Sequence, residues 1–377
     1  MKRILTIVFL LAGLTAAAQN SEKYELFKEL RNESDTLGMK NMLENWGDQD
    51  PEYYAAWVNY CSIMAEEAQD LTWLEMGVNW AKNGREAYPD DELLLHKLSD
   101  ALFDNEQFQE ALPVLQEIEE RGLGELITWY HLSVIYGAKG DFAQSRKYLE
   151  KMIQEGDEDD QAYARDMLET YDQIEHQADS LALHPDHAAI KALSQTSAFQ
   201  DLTARFAACD TTLTREEIST IYYGSSYLKD YNQASRQSEA IRALAEAGKI
   251  EEAKAALESR LKEYPVSLFV LLNLFSISED EAELEAYRWK ISSLLGTIDN
   301  TGRMNDAERP FQVICVNDEY QTLNYVLGME EFKSQAVVAG PMDKMDFLNE
   351  YGLEMTVYFY LTPPYWERLN SLFGGND

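Results

Sequence analysis

The stretch Trp129-Tyr130-His131-Leu132-Ser133-Val134-Ile135-Tyr136-Gly137-Ala138-Lys139-Gly140-Asp141-Phe142 decides how the first half of this chain folds. Apolar residues at three- and four-residue steps run up to a short polar turn and resume after it, the pattern of two helices joined by a tight connection. Stepping back 34 residues lands on the same pattern. Trp129, Leu132, Ser133, Tyr136, Phe142, Ser145, Leu149 and Met152 answer Leu95, Leu98, Ser99, Leu102, Phe108, Ala111, Leu115 and Ile118. Large residues fall on large and small on small. A further step back keeps Met64, Ala65, Ala68, Leu74, Gly77 and Ala81 in register, with Pro89 closing the unit. Self-similarity at this period marks a repeated helix–turn–helix. One hairpin cannot bury its apolar face alone, so successive hairpins must stack.

These positions resemble the tetratricopeptide repeat family. Trp129, Leu132, Tyr136, Gly140, Phe142 and Leu149 match its pattern, and Ser133 and Ser145 stand where it often carries Gly and Ala. Residues 58–157 would hold three units, the first degenerate, and the helix of Tyr163, Met167, Leu168, Tyr171 and Ile174 would close the stack. The resemblance implies a curved solenoid whose first helices line a concave groove. That places His96, Asp100, Phe103 and Asp104 on the groove in the second unit and Ile127, Tyr130 and Val134 in the third. Such a groove takes an extended or helical peptide, with Phe103 and Tyr130 as apolar anchors. The plainer reading packs these residues on neighbouring helices or leaves them in water.

Working outward, the chain begins with basic Lys2-Arg3, an apolar run from Ile4 to Leu14, and small residues at Ala16-Ala17-Ala18. This is the pattern of a secretory signal peptide, too short to span a bilayer and expected to be cleaved after Ala18. The first cysteine is Cys61, so no lipid-attachment cysteine follows the apolar run. The expectation is a periplasmic or secreted protein without a membrane anchor. Of 377 residues, 67 are Asp or Glu and 32 Lys or Arg, a formal charge of −35 that becomes about −37 once Lys2 and Arg3 are removed. Phosphate backbones need a basic face, so nucleic acid is excluded as a partner. A 45% hydrophobic content is nevertheless that of a folded chain. Three cysteines exclude a disulfide-rich mini-domain or a thiolate cluster. They are either three free thiols or one free thiol beside a Cys209–Cys315 bridge. Arg205 is the one close cation that would activate Cys209.

Residues 176–190 read as a linker between a repeat domain at 19–175 and a second domain at 191–377. His176, His184 and His187 crowd into it with Asp179, but their spacing matches no zinc signature. The acidic run Glu155 to Asp160 lacks the calcium-loop pattern. Asp159 or Asp160 is expected instead to cap the following helix.

In the second half, Thr214-Arg215-Glu216-Glu217 is a capping box opening a helix that carries Ile218, Ile221, Tyr222, Tyr223, Tyr227 and Tyr231. Tyrosines so spaced either stack on a sugar ring or peptide or pack against the next helix. Ala245 to Pro265 reads as another helix hairpin; β-rich runs follow at 311–316, 332–339 and 354–361, and Tyr365 to Phe373 reads as a last helix. The fold class is therefore mostly α, a tetratricopeptide-like α-solenoid followed by a smaller α+β domain of helices and a short antiparallel sheet. Phe206 to Gly224, Tyr264-Pro265, Phe311-Gln312-Val313-Ile314, Asp318-Glu319-Tyr320, Asp343 and Val357-Tyr358-Phe359 together resemble the family called domain of unknown function 4919, found mainly in Bacteroidetes. The resemblance covers about 195–375 and departs from the family at the loop 299–309, where a Gly-rich segment would be expected. It implies a domain boundary and no activity.

No nucleophile elbow, H-E-x-x-H, phosphate loop or dinucleotide fingerprint occurs. Asp318-Glu319 is the one polar cluster that invites a catalytic reading, yet neighbouring helix residues do not face each other, and Asp318 as a helix N-cap explains it more simply. The residues assign no catalytic group, metal or cofactor. The favoured expectation is a non-catalytic exported protein whose repeats bind a protein or peptide partner. The alternative is a glycan-binding or hydrolytic protein with its site in the C-terminal domain or at the domain junction, using Tyr222, Tyr223, Tyr227 and Trp366.

Overall fold

A computed structural model of the chain describes residues 22–367 apart from 229, 230, 232–240, 242 and 245. The signal peptide, Ala245 at the start of the hairpin expected at 245–265, and the end of the last helix lie outside these residues. The described residues fall into two units, 22–172 with 351–353, and 173–350 with 354–367.

Unit 1 is built of helices. α1 (Glu22–Asn32) and α2 (Thr36–Glu44) bury Tyr24, Phe27, Met39 and Leu43 with Trp46 against Tyr54, Ala55 and Tyr60 of α3 (Pro51–Ala68). α3 pairs with α4 (Thr72–Ala87), α5 (Glu92–Asp104) with α6 (Phe108–Glu120), and α7 (Leu126–Ala138) with α8 (Phe142–Glu155). α5 and α7 start 34 residues apart, and so do α6 and α8. The repeat read from the sequence is thus a repeat of helix hairpins.

Its turn chemistry repeats too. Gly140 has φ +68°, and Glu106, 34 residues earlier, has φ +56°. Glycine visits this left-handed region freely, whereas a Cβ there costs about 1–2 kcal/mol. The 92–120 hairpin therefore holds a strained residue where its successor holds a relaxed one. Close packing shows at Gly84, where a Cβ would stand 2.8 Å from that of Tyr54.

The second helices are tied by charge: Lys82 to Glu110 and Arg85 to Glu117, each at 2.7 Å, join α4 to α6, and Lys151 to Glu119 at 2.5 Å joins α8 to α6. Partly exposed pairs of this kind contribute little individually.

The following helix, α9 (Glu158–Leu181), is longer than expected. Nothing between Glu158 and Leu181 stops a helix, and the first proline comes at 185, so residues 176–181 of the expected linker are helical. Nor do Asp159 and Asp160 cap it. Asp157 accepts from the backbone N–H of both, at 2.9 and 3.0 Å.

Unit 2 contains α10 (His187–Leu193), α11 (Ser197–Ala207), α12 (Arg215–Ser225), α13 (Ile250–Glu263), α14 (Leu268–Ile277), α15 (Glu281–Asp299) and α16 (Val316–Tyr325). The capping box of α12 forms as read: Thr214 Oγ1 accepts from the N–H of Glu217, whose carboxylate accepts from the N–H of Thr214.

The sheet has the order β1-β4-β3-β2, from β1 (Phe311–Val313), β2 (Glu331–Ala339), β3 (Met342–Leu348) and β4 (Glu354–Leu361). It is mixed rather than antiparallel. β1 joins β4 in parallel, Phe311 opposite Phe359, because α16 and the β2–β3 hairpin intervene before the chain returns. β3 escaped the sequence reading, since Asp343, Lys344 and Asp346 mask its alternation. Its buried positions are Asp343, Met345 and Phe347, beside Met355, Val357, Phe359 and Leu361 of β4.

The three cysteines are free thiols, so the Cys209–Cys315 bridge does not form. Burial pushes the Cys61 thiol up to about 12. Arg205 is engaged by Asp210, Glu217 and Thr212 rather than by Cys209. No helix among the described residues is long and apolar enough to cross a membrane.

Candidate functional site

The first helices of the hairpins bring a row of rings together. Phe103 on α5 meets Tyr130 on α7 edge to face at 5.9 Å, and Tyr130 meets Tyr163 on α9 in the same way at 5.4 Å. Phe103 itself is buried and lies flat on the His131 ring at 3.8 Å. Tyr130, Tyr163, Ile127 and Val134 are half-buried. Of the residues expected along the groove, Phe103 packs inward on the His131 ring, while Tyr130, Ile127 and Val134 stay half-buried.

Charge collects beside this row. Lys97 Nζ donates to Asp100 Oδ2 at 2.9 Å, and Ser62 on α3 reaches Asp104 Oδ2 at 3.3 Å. Burial opposes ionisation of Asp100, but Lys97 and then His131 hold its carboxyl below the usual range. Asp104 behaves in the opposite way. The residue stays partly exposed, yet protein crowds its carboxyl; this loss of water, followed by the Asp100 charge, raises it to about 7. Burial drives His131 down to about 4, so its imidazole is neutral, and its Nδ1 has no hydrogen-bond partner. His96 places Nδ1 3.6 Å from Glu125 Oε1. Tyr163 belongs to the helix expected to close the stack, and His131, not named among the groove residues, sits four residues after Ile127 on the same face of α7.

In unit 2 the candidate tyrosines divide. Tyr222 and Tyr223 are wholly buried and offer no ring face to a ligand. Tyr222 Oη donates to Asp318 Oδ2 at 2.7 Å, and Tyr223 Oη donates to the Gln312 carbonyl at 3.1 Å. Tyr227, under Lys191 Nζ at 5.9 Å, and Trp366 are half-buried. Tyr231 is buried against Tyr264.

Of the hinge histidines, His187 is committed to the fold, with Nε2 2.8 Å from Gln312 Oε1 and its ring against Tyr223. Among the described residues, no group of three or more His, Cys, Asp and Glu is arranged to hold a metal.

Asp318 is not the N-cap of α16; the helix starts at Val316 behind Cys315, and Asp318 lies inside its first turn. Its carboxyl is buried, and that burial raises it to about 6. Glu319 is fully buried and meets Asp343 from β3 through Gln335, whose Nε2 donates to Asp343 Oδ2 at 2.6 Å and Glu319 Oε2 at 3.4 Å. Tyr320 Oη donates to Gln335 Oε1 at 2.9 Å. Burial, then Asp343 and Asp318, pushes Glu319 well above the carboxylate range. The second oxygen of each carboxyl has no partner. Glu319 can carry a proton here, but no substrate can reach it without moving the sheet. A negative residue at a buried β3 position was the missing signal, legible only once β3 is recognised.

No curated protein matches the chain. Residues 186–368 match the family model described as Domain of unknown function (DUF4919), so the C-terminal region is similar to that family over nearly all of the described part of unit 2.

Proposed function

We propose that unit 1 binds a protein or peptide partner along the first helices of its hairpins, and that the protein acts by binding rather than by chemistry. The ring row Phe103–Tyr130–Tyr163, ending at the under-compensated Asp104, is the observation that carries this reading. Half-buried tyrosines give a large contact at small entropic cost. Asp104 selects a partner that brings a Lys or Arg, in keeping with the −35 charge of the chain.

The tetratricopeptide resemblance, which rests on the hairpin recurrence, points the same way. The leader pattern at residues 1–18 assigns the protein to the periplasm or the outside of the cell, with Gln19 as the mature N-terminus.

The test is a displayed peptide library selected on the mature chain, with affinities of the winning sequences measured by calorimetry. Tyr130→Ala is expected to weaken binding at least tenfold, and Asp104→Asn to weaken selectively those peptides that carry a basic residue. Peptides that bind the Tyr130→Ala protein as well as the parent would overturn the assignment. Winners whose affinity instead follows Tyr227 and Trp366 would move the function to a C-terminal ligand site.

A further inference from the structure

Unit 2 contains a cavity of about 250 Å³ between the end of α9 and the loop that follows α15. On the α9 side it is lined by Ile174, Ala178 and Leu181, and on the loop side by Arg303 and Arg309. In a chain with twice as many acids as bases, two guanidiniums at one cavity need an explanation.

Both are held by a single oxygen. Arg303 donates to Asp179 Oδ1 at 2.5 Å and Arg309 to the same atom at 3.3 Å. The Arg303 Nε is buried and has no partner. A guanidinium presents several N–H groups in a fork that matches both oxygens of a carboxylate. One shared oxygen therefore leaves much of this donor set unused. Asp179 is also 62% exposed, so nothing packs it in place.

We propose that this cavity binds a small molecule or chain end bearing one carboxylate on a short apolar body, and that Asp179 occupies the two arginines in its absence. The ligand carboxylate takes the arginine forks while its body lies on Ile174, Ala178 and Leu181. The volume equals that of about eight waters, which limits the ligand to a similar number of heavy atoms within the cavity. A single negative charge fits better than a phosphate dianion, because Asp299 also lines the cavity. Burial raises the Asp299 carboxyl, and a neighbouring dianion would have to share its surroundings. The site lies on the loop 299–309, where the sequence departs from the Gly-rich segment of the family it resembles. It involves none of the residues of the ring row in unit 1, so the two readings stand or fall separately.

The test is titration of the mature full-length chain, followed by NMR and calorimetry, with butyrate, N-acetyl-leucine and N-acetyl-leucinamide. The carboxylates are expected to saturate and the carboxamide not to bind. Asp179→Asn should tighten carboxylate binding at least threefold by freeing both guanidiniums. Arg309→Gln should weaken it at least tenfold while the melting midpoint stays near that of the parent. Preference for N-acetyl-leucine over butyrate identifies a peptide C-terminus as the source, and the reverse a free acid. Equal binding of acid and amide, no tightening in Asp179→Asn, or no saturation by either acid would each overturn the proposal.

Discussion

The carboxylates of α5 and those of α16 are the same chemical groups under opposite treatment. On α5, Asp100 is paired with Lys97, and Asp104 keeps a face open to water. On α16, Asp318 and Glu319 are sealed beneath the sheet, with a tyrosine and a glutamine as partners. Stacked hairpins leave one flank of every helix uncovered, whereas a helix packed under a sheet is covered on the side it turns inward. Architecture thus decides whether a carboxylate can meet a ligand or must keep its proton. The comparison supports the recognition surface proposed on unit 1 and gives the acid cluster of unit 2 a structural role.

Three experiments sharpen or break this contrast. The largest effect is expected for Phe103→Ala, which removes a buried ring stacked on His131 and should cost about 3–5 kcal/mol in denaturant unfolding. Water reaching His131 should also return its titration towards that of a free imidazole, as histidine NMR would show. An unchanged midpoint would mean that the ring row is not packed as described.

The second concerns acid. His131 is lowered to about 4, below its unfolded value of about 6.5. Its contribution is therefore present above pH 6.5 and is lost as the pH falls towards 4, by about 3 kcal/mol. Asp104, raised to about 7, opposes this loss over the same range, and the lowered Asp100 adds to it only below about pH 4. Asp318 is raised to about 6, so the native state holds a proton that the unfolded chain has released. Its contribution is full below about pH 4 and is lost as the pH rises to 6, again by about 3 kcal/mol; the raised Glu319 acts in the same direction. Hydrogen exchange between pH 6.5 and 4.5 should accordingly show protection rising in α16 and β3, while in α5 and α7 the opposed shifts of His131 and Asp104 hold it nearly level. Parallel changes in both units would dissolve the contrast.

The smallest effect is expected at Tyr222→Phe. Losing the hydroxyl strips Asp318 of a buried donor and should cost about 1–3 kcal/mol. The same change should raise the Asp318 midpoint above about 6, because the Tyr222 hydrogen bond holds it down. Carbon-detected NMR of the carboxyl provides the measurement, and a midpoint that falls would place the donor elsewhere.

Helices, hairpins and the Thr214 cap were legible in the sequence because they depend on neighbours within about one turn, although the caps expected at Asp159 or Asp160 and at Asp318 did not form. The 34-residue recurrence, the Thr214 capping box and the short turn at Gly140 all belong to this class, and each forms as read. Where the chain announced nothing locally, the reading failed: β3 hides its alternation under three charged residues, and α9 runs on because no residue stops it.

What the tertiary structure decided is which distant residues share a space. Glu319 meets Asp343 across 24 positions, and Arg303 and Arg309 meet Asp179 across 124 and 130. Tyr222 turned out to be a buried donor to Asp318, 96 residues away, rather than a surface ring. Periodicity specifies the face on which a side chain lies, but not the partner that the opposite face will bring. That partner is set by packing of the whole domain, and it determines whether a carboxylate is ionised, sealed or available to a ligand.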